Sequence, residues 1–318
     1  MKSIINQTFE DWELVAIDDC STDNSHSLLT QFSQKDQRIK VFRNVGSGIV
    51  NGLNLGISLA KSDFIARMDA DDIMFPNRLS EQMQLMYSNK DLGLVSSLVK
   101  HLPSDNQDAR GYESYVKWTN EIKSNFEISN SRFIESPFAH PSVIFRKELI
   151  HRYGGYRSGN FPEDYELWLR FLKNNVKMQK VDKVLLEWRD RKNRLSRTDS
   201  RYSLRAFQRI KAEYFQHWIK ENITLPLPIH AWGAGKFARR QIKYLQEFGI
   251  NIECSYEVDF KKIKISKDHY KINHYKDILP PGACFVVVLV GQQKIRQKIN
   301  RFLKKRGYEI IKDYIFLA

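Results

Sequence analysis

Short apolar runs that stop at carboxylates set the pattern of this chain. Leu14-Val15-Ala16-Ile17 predicts a strand and runs straight into Asp18-Asp19-Cys20-Ser21-Thr22-Asp23. Phe64-Ile65-Ala66 predicts another and ends in Arg67-Met68-Asp69-Ala70-Asp71-Asp72. Both stretches, 14–17 and 64–68, read as strands buried on two faces, because apolar residues follow one another without alternating with polar ones. The Asp and Ser residues after the first run suit the cap of a helix starting near Ser25. A third acidic group, Glu163-Asp164, follows Phe161-Pro162 and opens an amphipathic helix through Leu167, Trp168 and Leu169.

Toward the C-terminus the alternation begins again. A long helical segment at about 200–222 is followed by Leu225-Pro226-Leu227-Pro228, whose prolines mark a linker. Ile229 to Trp232 predicts a short strand, Gly233-Ala234-Gly235-Lys236-Phe237-Ala238 a turn, and 239–248 a helix. Strands at 251–256 and 285–291 and a helix at 294–306 complete a small Rossmann-like unit. A G-x-G-x-x-A turn between strand and helix is the context a dinucleotide fingerprint requires, which makes Gly233 and Gly235 candidates for a nucleotide turn. Asp259, 24 residues after Gly235, stands close to the roughly 20-residue spacing of a ribose-binding acid. A full dinucleotide site uses two mononucleotide halves, so a packing or dimerisation unit is the competing reading.

Length and composition bound the rest. A chain of 318 residues exceeds one typical core and predicts two domains, 1–224 and 225–318. No run approaches the ~18 apolar residues of a membrane-spanning helix. Cys20, Cys254 and Cys284 are far apart, without metal spacing, and suit free thiols in a reducing cytoplasm. The net charge of +14 is uneven: residues 221–318 hold 18 Lys and Arg against 9 Asp and Glu. Lys261-Lys262-Ile263-Lys264 and Arg301-Phe302-Leu303-Lys304-Lys305-Arg306 suit anionic lipid, hence peripheral association with the inner face of a membrane, or a polyanionic acceptor. A solvated helix face fits them equally. Nucleic-acid binding lacks a supporting motif.

The acidic strand ends carry the chemistry. Asp69, Asp71 and Asp72 repel one another, and a fold that gathers them supplies a cation. Mn²⁺ or Mg²⁺ takes one or two carboxylates and completes its shell with water and substrate phosphate, so the stretch suggests a metal–diphosphate site. Alone, it would equally suit an acidic turn capping the next helix. Two acidic strand ends point to one crevice, because open α/β sheets bind ligands beyond the carboxyl ends of their strands. In that setting Glu163 or Asp164 becomes a candidate general base, although a first-turn helix charge pair looks the same.

Six motifs in order resemble the family 2 inverting glycosyltransferases of GT-A fold. They are Asn6-Gln7-Thr8-Phe9-Glu10-Asp11-Trp12-Glu13-Leu14, Asp18 to Asp23, Gly48 with Asn54-Leu55-Gly56-Ile57, Met68 to Asp72, Ala139-His140-Pro141-Ser142-Val143-Ile144-Phe145-Arg146, and Glu163 to Leu169. The resemblance covers residues 2 to 205. It implies a GT-A nucleotide-diphospho-sugar transferase-like mixed sheet flanked by helices. It also implies a nucleotide-sugar donor, UDP-linked, a glycan or lipid-linked acceptor, Mn²⁺ or Mg²⁺, and a place in bacterial surface polysaccharide synthesis. By position, Asp19 with Asp18 contacts the nucleoside, Asp69 and Asp71 the ribose and diphosphate, and Asp71 and Asp72 the metal. Asp164 deprotonates the acceptor hydroxyl beside Glu163, and His140 and Trp168 line the acceptor side. Trp168 also has the helical spacing of a core residue, and His140, before Pro141, equally suits a packed or surface histidine.

In one respect the chain departs from the family, whose members open with an apolar strand and turn, whereas Met1 to Thr8 match the helix that follows. The expectation is that a form extended by that strand melts higher and binds donor more tightly. Two other functions stay open: a non-catalytic binding or scaffold protein, and a dinucleotide-dependent oxidoreductase using the C-terminal unit.

Overall fold

A computed structural model describes residues 1–103, 110–191, 194–224, 226–259, 261 and 270–318. Leu225 of the predicted linker and Lys262-Ile263-Lys264 of one predicted basic stretch lie outside the described residues. The chain falls into two compact units. Met1–Ile128 and Pro137–Arg201 form the first, and Ser129–Ser136 and Tyr202–Ala318 the second.

The first unit begins α1 (Lys2–Ile5), β1 (Leu14–Asp18), α2 (Ser25–Lys35), β2 (Ile39–Arg43), α3 (Ile49–Leu59), β3 (Phe64–Ala66), β4 (Ile73–Met74) and α4 (Arg78–Ser88). It continues β5 (Leu92–Leu102), α5 (Arg110–Glu121), α6 (Asn125–Ser131, its last three residues grouped with the second unit), β6 (Ile144–Arg146), α7 (Glu148–Tyr153), α8 (Glu163–Lys173), β7 (Lys177–Arg189) and α9 (Leu195–Thr198). β1 and β2 pair in parallel as a sheet of their own. The other sheet has the order β3-β6-β5-β7-β4. It is mixed: β5 and β7 are parallel, while β6 runs against β3 and β5, and β4 against β7.

β1 and β3 are not buried on two faces. Leu14 to Ile17, Phe64 and Ile65 are half-buried, and Ala66 is exposed. Among the described residues β1 pairs only with β2 and β3 only with β6, so each has an edge that no neighbouring strand covers. The core gathers instead on strands with partners on both sides and on the helix against them, through Leu94, Phe145, Leu167, Trp168, Phe171 and Met178.

The second unit comprises α10 (Leu204–Asn222), β8 (Ile229–Trp232), α11 (Lys236–Glu247), β9 (Cys254–Glu257), β10 (Lys271–His274), β11 (Phe285–Val288), α12 (Gln293–Lys305) and β12 (Tyr314–Phe316). Its five strands are all parallel, in the order β10-β9-β8-β11-β12. The order reverses at β8, as in doubly wound α/β folds. Helix α10, placed by the sequence at the end of the first domain, belongs to this unit. Its Gln208 amide donates to the Phe237 carbonyl at 3.2 Å, and its own carbonyl accepts from Gln241 at 3.0 Å. Among the described residues no helix is long and apolar enough to cross a membrane.

Candidate active site

The turn after β3 gathers the three predicted carboxylates and treats each differently. Asp69 takes a 2.6 Å ion pair from the Arg67 guanidinium, which also donates to the Met68 carbonyl. Burial pushes the Asp69 carboxyl up, and interactions led by the charge and hydrogen bond of the Arg67 guanidinium more than offset that, leaving it below the ordinary range. Asp71 Oδ2 lies 3.2 Å from Arg191 Nε. Asp72 is 7% exposed; its Oδ1 accepts from the Arg189 N–H at 2.8 Å, and its Oδ2 has no hydrogen-bond donor among the described residues. Burial, then repulsion from Asp69 and Asp71, pushes its carboxyl up to about 7.

The turn keeps its shape because Arg78, fully buried at the start of α4, stands behind it. The Arg78 guanidinium donates to the Arg67 carbonyl at 2.9 Å and to Gln82 at 2.9 Å. Gln82 in turn donates to the carbonyls of Val95 and Ser142 at 3.0 and 2.9 Å. Gln7 joins the other end, donating to Phe75 O at 2.8 Å and accepting from Leu79 N at 3.0 Å.

Asp18 and Asp19 end β1. Ser21 N donates to Asp18 at 3.1 Å and His26 lies 3.2 Å from its other oxygen. The Ser21 hydrogen bonds, with burial opposing them, hold Asp18 below the ordinary range. Asp19 accepts from Gly48 N at 2.9 and 3.0 Å and from the Asn44 amide at 2.8 Å. Gly48 has φ +85°, a region glycine enters without strain, and that conformation aims its N–H at Asp19.

Glu163 and Asp164 form the first turn of α8, with Glu163 only 2% exposed and Asp164 less deeply buried. Asp164 accepts from Tyr165 N at 2.7 Å. Between them and the Asp69 turn lies a group that the sequence only partly revealed. His140 Nε2 is 2.7 Å from Tyr156 Oη. Burial first, then the charge of Arg67, lowers the His140 imidazole to about 3, so it stays neutral. Burial raises the Tyr156 phenol, and Asp164, Glu163 and Asp69 add to that. Arg67 and Tyr156 thus feel the carboxylates of both motifs, which marks one electrostatic neighbourhood.

Trp168 is 0% exposed, with its ring 5.9 Å from those of His140 and Phe138. It has no free face for a sugar and acts as the wall behind His140. Arg67 and Tyr156 were not singled out by sequence reasoning. Arg67 stands beside acids whose mutual repulsion is the stronger signal of that motif, and nothing near Tyr156 in the sequence announces it. Asn54 holds Tyr156 through its backbone, donating to its carbonyl and accepting from its N–H at 2.9 Å each, across 102 residues.

The donor set fits a hard divalent cation. Asp72 Oδ2 is a buried oxygen without a donor among the described residues, and the Asp71 carboxylate already draws a positive group. Among the described residues no three His, Cys, Asp or Glu side chains converge as a complete cage. Mn²⁺ and Mg²⁺ sites that borrow substrate phosphates need none.

In the second unit Gly233, with φ +120°, ends β8, where a Cβ would meet the Leu289 carbonyl at 3.2 Å; Gly235 has open space in that direction. Glu257, which ends β9, stands where the sequence suggested Asp259. Its carboxylate accepts from Ala234 N at 3.1 Å within the glycine turn and from Val258 N at 2.9 Å. Asp259 lies beyond the strand, with its carboxylate accepting from Lys261 N.

The family described as Glycosyl transferase family 2 matches residues 1–154. The O-antigen biosynthesis glycosyltransferase WbnJ of Escherichia coli is 31% identical over 192 residues, 59% of this chain and 71% of that one. The UDP-Gal:alpha-D-GlcNAc-diphosphoundecaprenol beta-1,3-galactosyltransferase of Escherichia coli is 30% identical over 226 residues, 70% of this chain and 77% of that one. The crystal structure of S. aureus TarS superposes with a TM-score of 0.50 at 16% identity over 78% of this chain and 45% of its own, a likeness of fold.

Proposed function

The chain belongs to glycosyl transferase family 2, and on that premise we propose that it transfers one sugar, with inversion, from a UDP-linked donor to a lipid-diphosphate-linked glycan during surface polysaccharide assembly. The observation that carries this reading is the shared neighbourhood of the Asp69–Asp72 turn and the Glu163–Asp164 helix start, joined by Arg67, His140 and Tyr156. The named donor and acceptor of the galactosyltransferase relative support the substrate classes.

A sugar hydroxyl is a poor nucleophile at neutral pH, so Asp164 takes its proton as the oxygen bonds to C1. The bond from C1 to the diphosphate oxygen breaks, the nucleoside diphosphate leaves with the electron pair, and the single displacement inverts C1. Glu163, more deeply buried and near Arg67, serves as a counter-ion, while Asp164 faces the acceptor. Asp71 and Asp72 would hold Mn²⁺ or Mg²⁺, which would supply positive charge against the leaving diphosphate. Asp69, steadied by Arg67, and Asp19, steadied by Gly48 and Asn44, line the donor side with Asp18. Neutral His140, with Tyr156, shapes the acceptor side.

Two variants test this. Asp164→Asn is expected to lower turnover on the order of 10²-fold or more while leaving affinity for UDP with Mn²⁺ nearly unchanged, since the base acts only in the transition state. Asp71→Ala is expected to remove the Mn²⁺-dependent part of UDP binding in calorimetry. Full turnover by Asp164→Asn, with Glu163→Gln inactive, would move the base to Glu163. Equal UDP affinity in wild type and Asp71→Ala would sink the metal assignment.

A further inference from the structure

We infer that Arg191 holds the cation's place on Asp71 in the unliganded protein and moves onto the donor's diphosphate when the cation and nucleotide bind. This rests on the donor and metal roles proposed above and adds a residue to them.

The backbone dictates the juxtaposition. β4 lies antiparallel to β7, with Met74 opposite Leu186 and Ile73 opposite Glu187. Just beyond the ladder, Arg189 N–H donates to Asp72 Oδ1 at 2.8 Å. The end of β7 is therefore tied to the acidic turn, and the residues that follow pass beside Asp71. Asp190 turns inward, where it is buried and bound by Arg197 Nε at 3.1 Å, with His101 at 3.5 Å. Arg191 turns outward and reaches Asp71 with a side chain that is 55% exposed.

The three arginines nearest beyond the end of β7 differ in their restraints. Arg197 is committed to Asp190. Arg194 lies over the Trp188 ring at 4.2 Å. Among the described residues Arg191 is held only by a 3.2 Å pair with a half-buried carboxylate. Exposed pairs of this kind contribute little, so a hard cation on Asp71 displaces the guanidinium readily. A cation held by Asp71 would draw a diphosphate to this carboxylate, beside which the guanidinium already sits. Its planar fork matches two phosphate oxygens, which a lysine cannot do.

The test separates this inference from the reading beneath it. Mn²⁺ binding without nucleotide is measured by electron paramagnetic resonance for wild type, Arg191→Gln, Arg191→Lys and Asp71→Asn. Binding of UDP and of uridine at saturating Mn²⁺ is then measured by calorimetry. Arg191→Gln is expected to bind Mn²⁺ about two- to five-fold more tightly, because a competitor is gone. It is expected to bind UDP about ten-fold more weakly, with uridine affinity unchanged. Arg191→Lys, which keeps the charge and loses the fork, falls between on both. Unchanged or weaker Mn²⁺ binding in Arg191→Gln overturns the inference, as does a loss of uridine affinity that matches the loss of UDP affinity. Unchanged Mn²⁺ binding in Asp71→Asn overturns the metal assignment itself.

Discussion

Asp69, Asp71 and Asp72 are the same residue type and reach three different resolutions: a half-buried arginine, an exposed arginine, and a carboxyl pushed up to about 7. His140, beside them, is defined by what it refuses. Its imidazole is lowered to about 3 in the folded chain, while in the unfolded chain it titrates near 6.5. Below pH 6.5 the unfolded state takes a proton that the native state declines. The His140 contribution to stability is therefore complete above about pH 6.5 and is lost as pH falls toward 3, by at most about 1.4 kcal/mol per pH unit. Urea melts of wild type and His140→Gln at pH 7, 6 and 5 measure it: the variant is expected to lose less stability on acidification. Parallel pH profiles would show that His140 titrates alike in both states. The acids at strand ends were legible because charge repulsion is written into their spacing. Tyr156 was not, because its significance depends on the imidazole 2.7 Å from its hydroxyl.

Helix α8 shows how an element aims a site. Its first turn presents Glu163 and Asp164, and one turn later Glu166 and Arg170 form a buried pair at 2.6 Å. The Arg170 guanidinium also donates to the carbonyls of Tyr153, Gly154 and Gly155 at 2.8 Å each, fixing the segment that leads to Tyr156. Removing one partner of a buried pair leaves the other uncompensated and costs about 3–5 kcal/mol. Arg170→Met is expected to lower stability by that amount in denaturant melts, and the double variant Arg170→Met with Glu166→Leu to recover part of it. A loss below about 1 kcal/mol would mean that the pair does not hold the segment. The helix start was legible from Pro162 followed by two acids. The half-exposure of β1 and β3 was not, because an apolar run announces a strand but not how many neighbours it will have.

At the scale of the molecule, the charge excess concentrates on one helix. α12 contains no acidic residue, buries Ile299 and Leu303, and exposes Lys294, Lys298, Arg301, Lys304 and Lys305. If the acceptor is lipid-linked, this face suits an anionic bilayer, at ~1 kcal/mol for each cation near the surface. Sedimentation with phosphatidylglycerol vesicles is expected to show binding that falls with salt. Lys298→Glu, Arg301→Glu and Lys305→Glu together are expected to weaken it on the order of 100-fold. Salt-independent binding, or none, would leave the face as a solvated one.

The sequence by itself determined the local events. These were the apolar runs that become strands, the acids that end them, the glycine turn after β8, the acidic start of α8, and through their order the family. Each depends on residues close together in the chain, where spacing and propensity act directly. Only the tertiary structure decided that Arg191 faces Asp71, that Asn54 holds Tyr156, that Trp168 is wall rather than surface, and that Glu257 rather than Asp259 closes the glycine turn. Those outcomes follow from register, burial and the approach of segments distant in sequence. Local pattern constrains such long-range pairings only weakly, because the same side chain serves as core, counter-ion or ligand according to what folds against it.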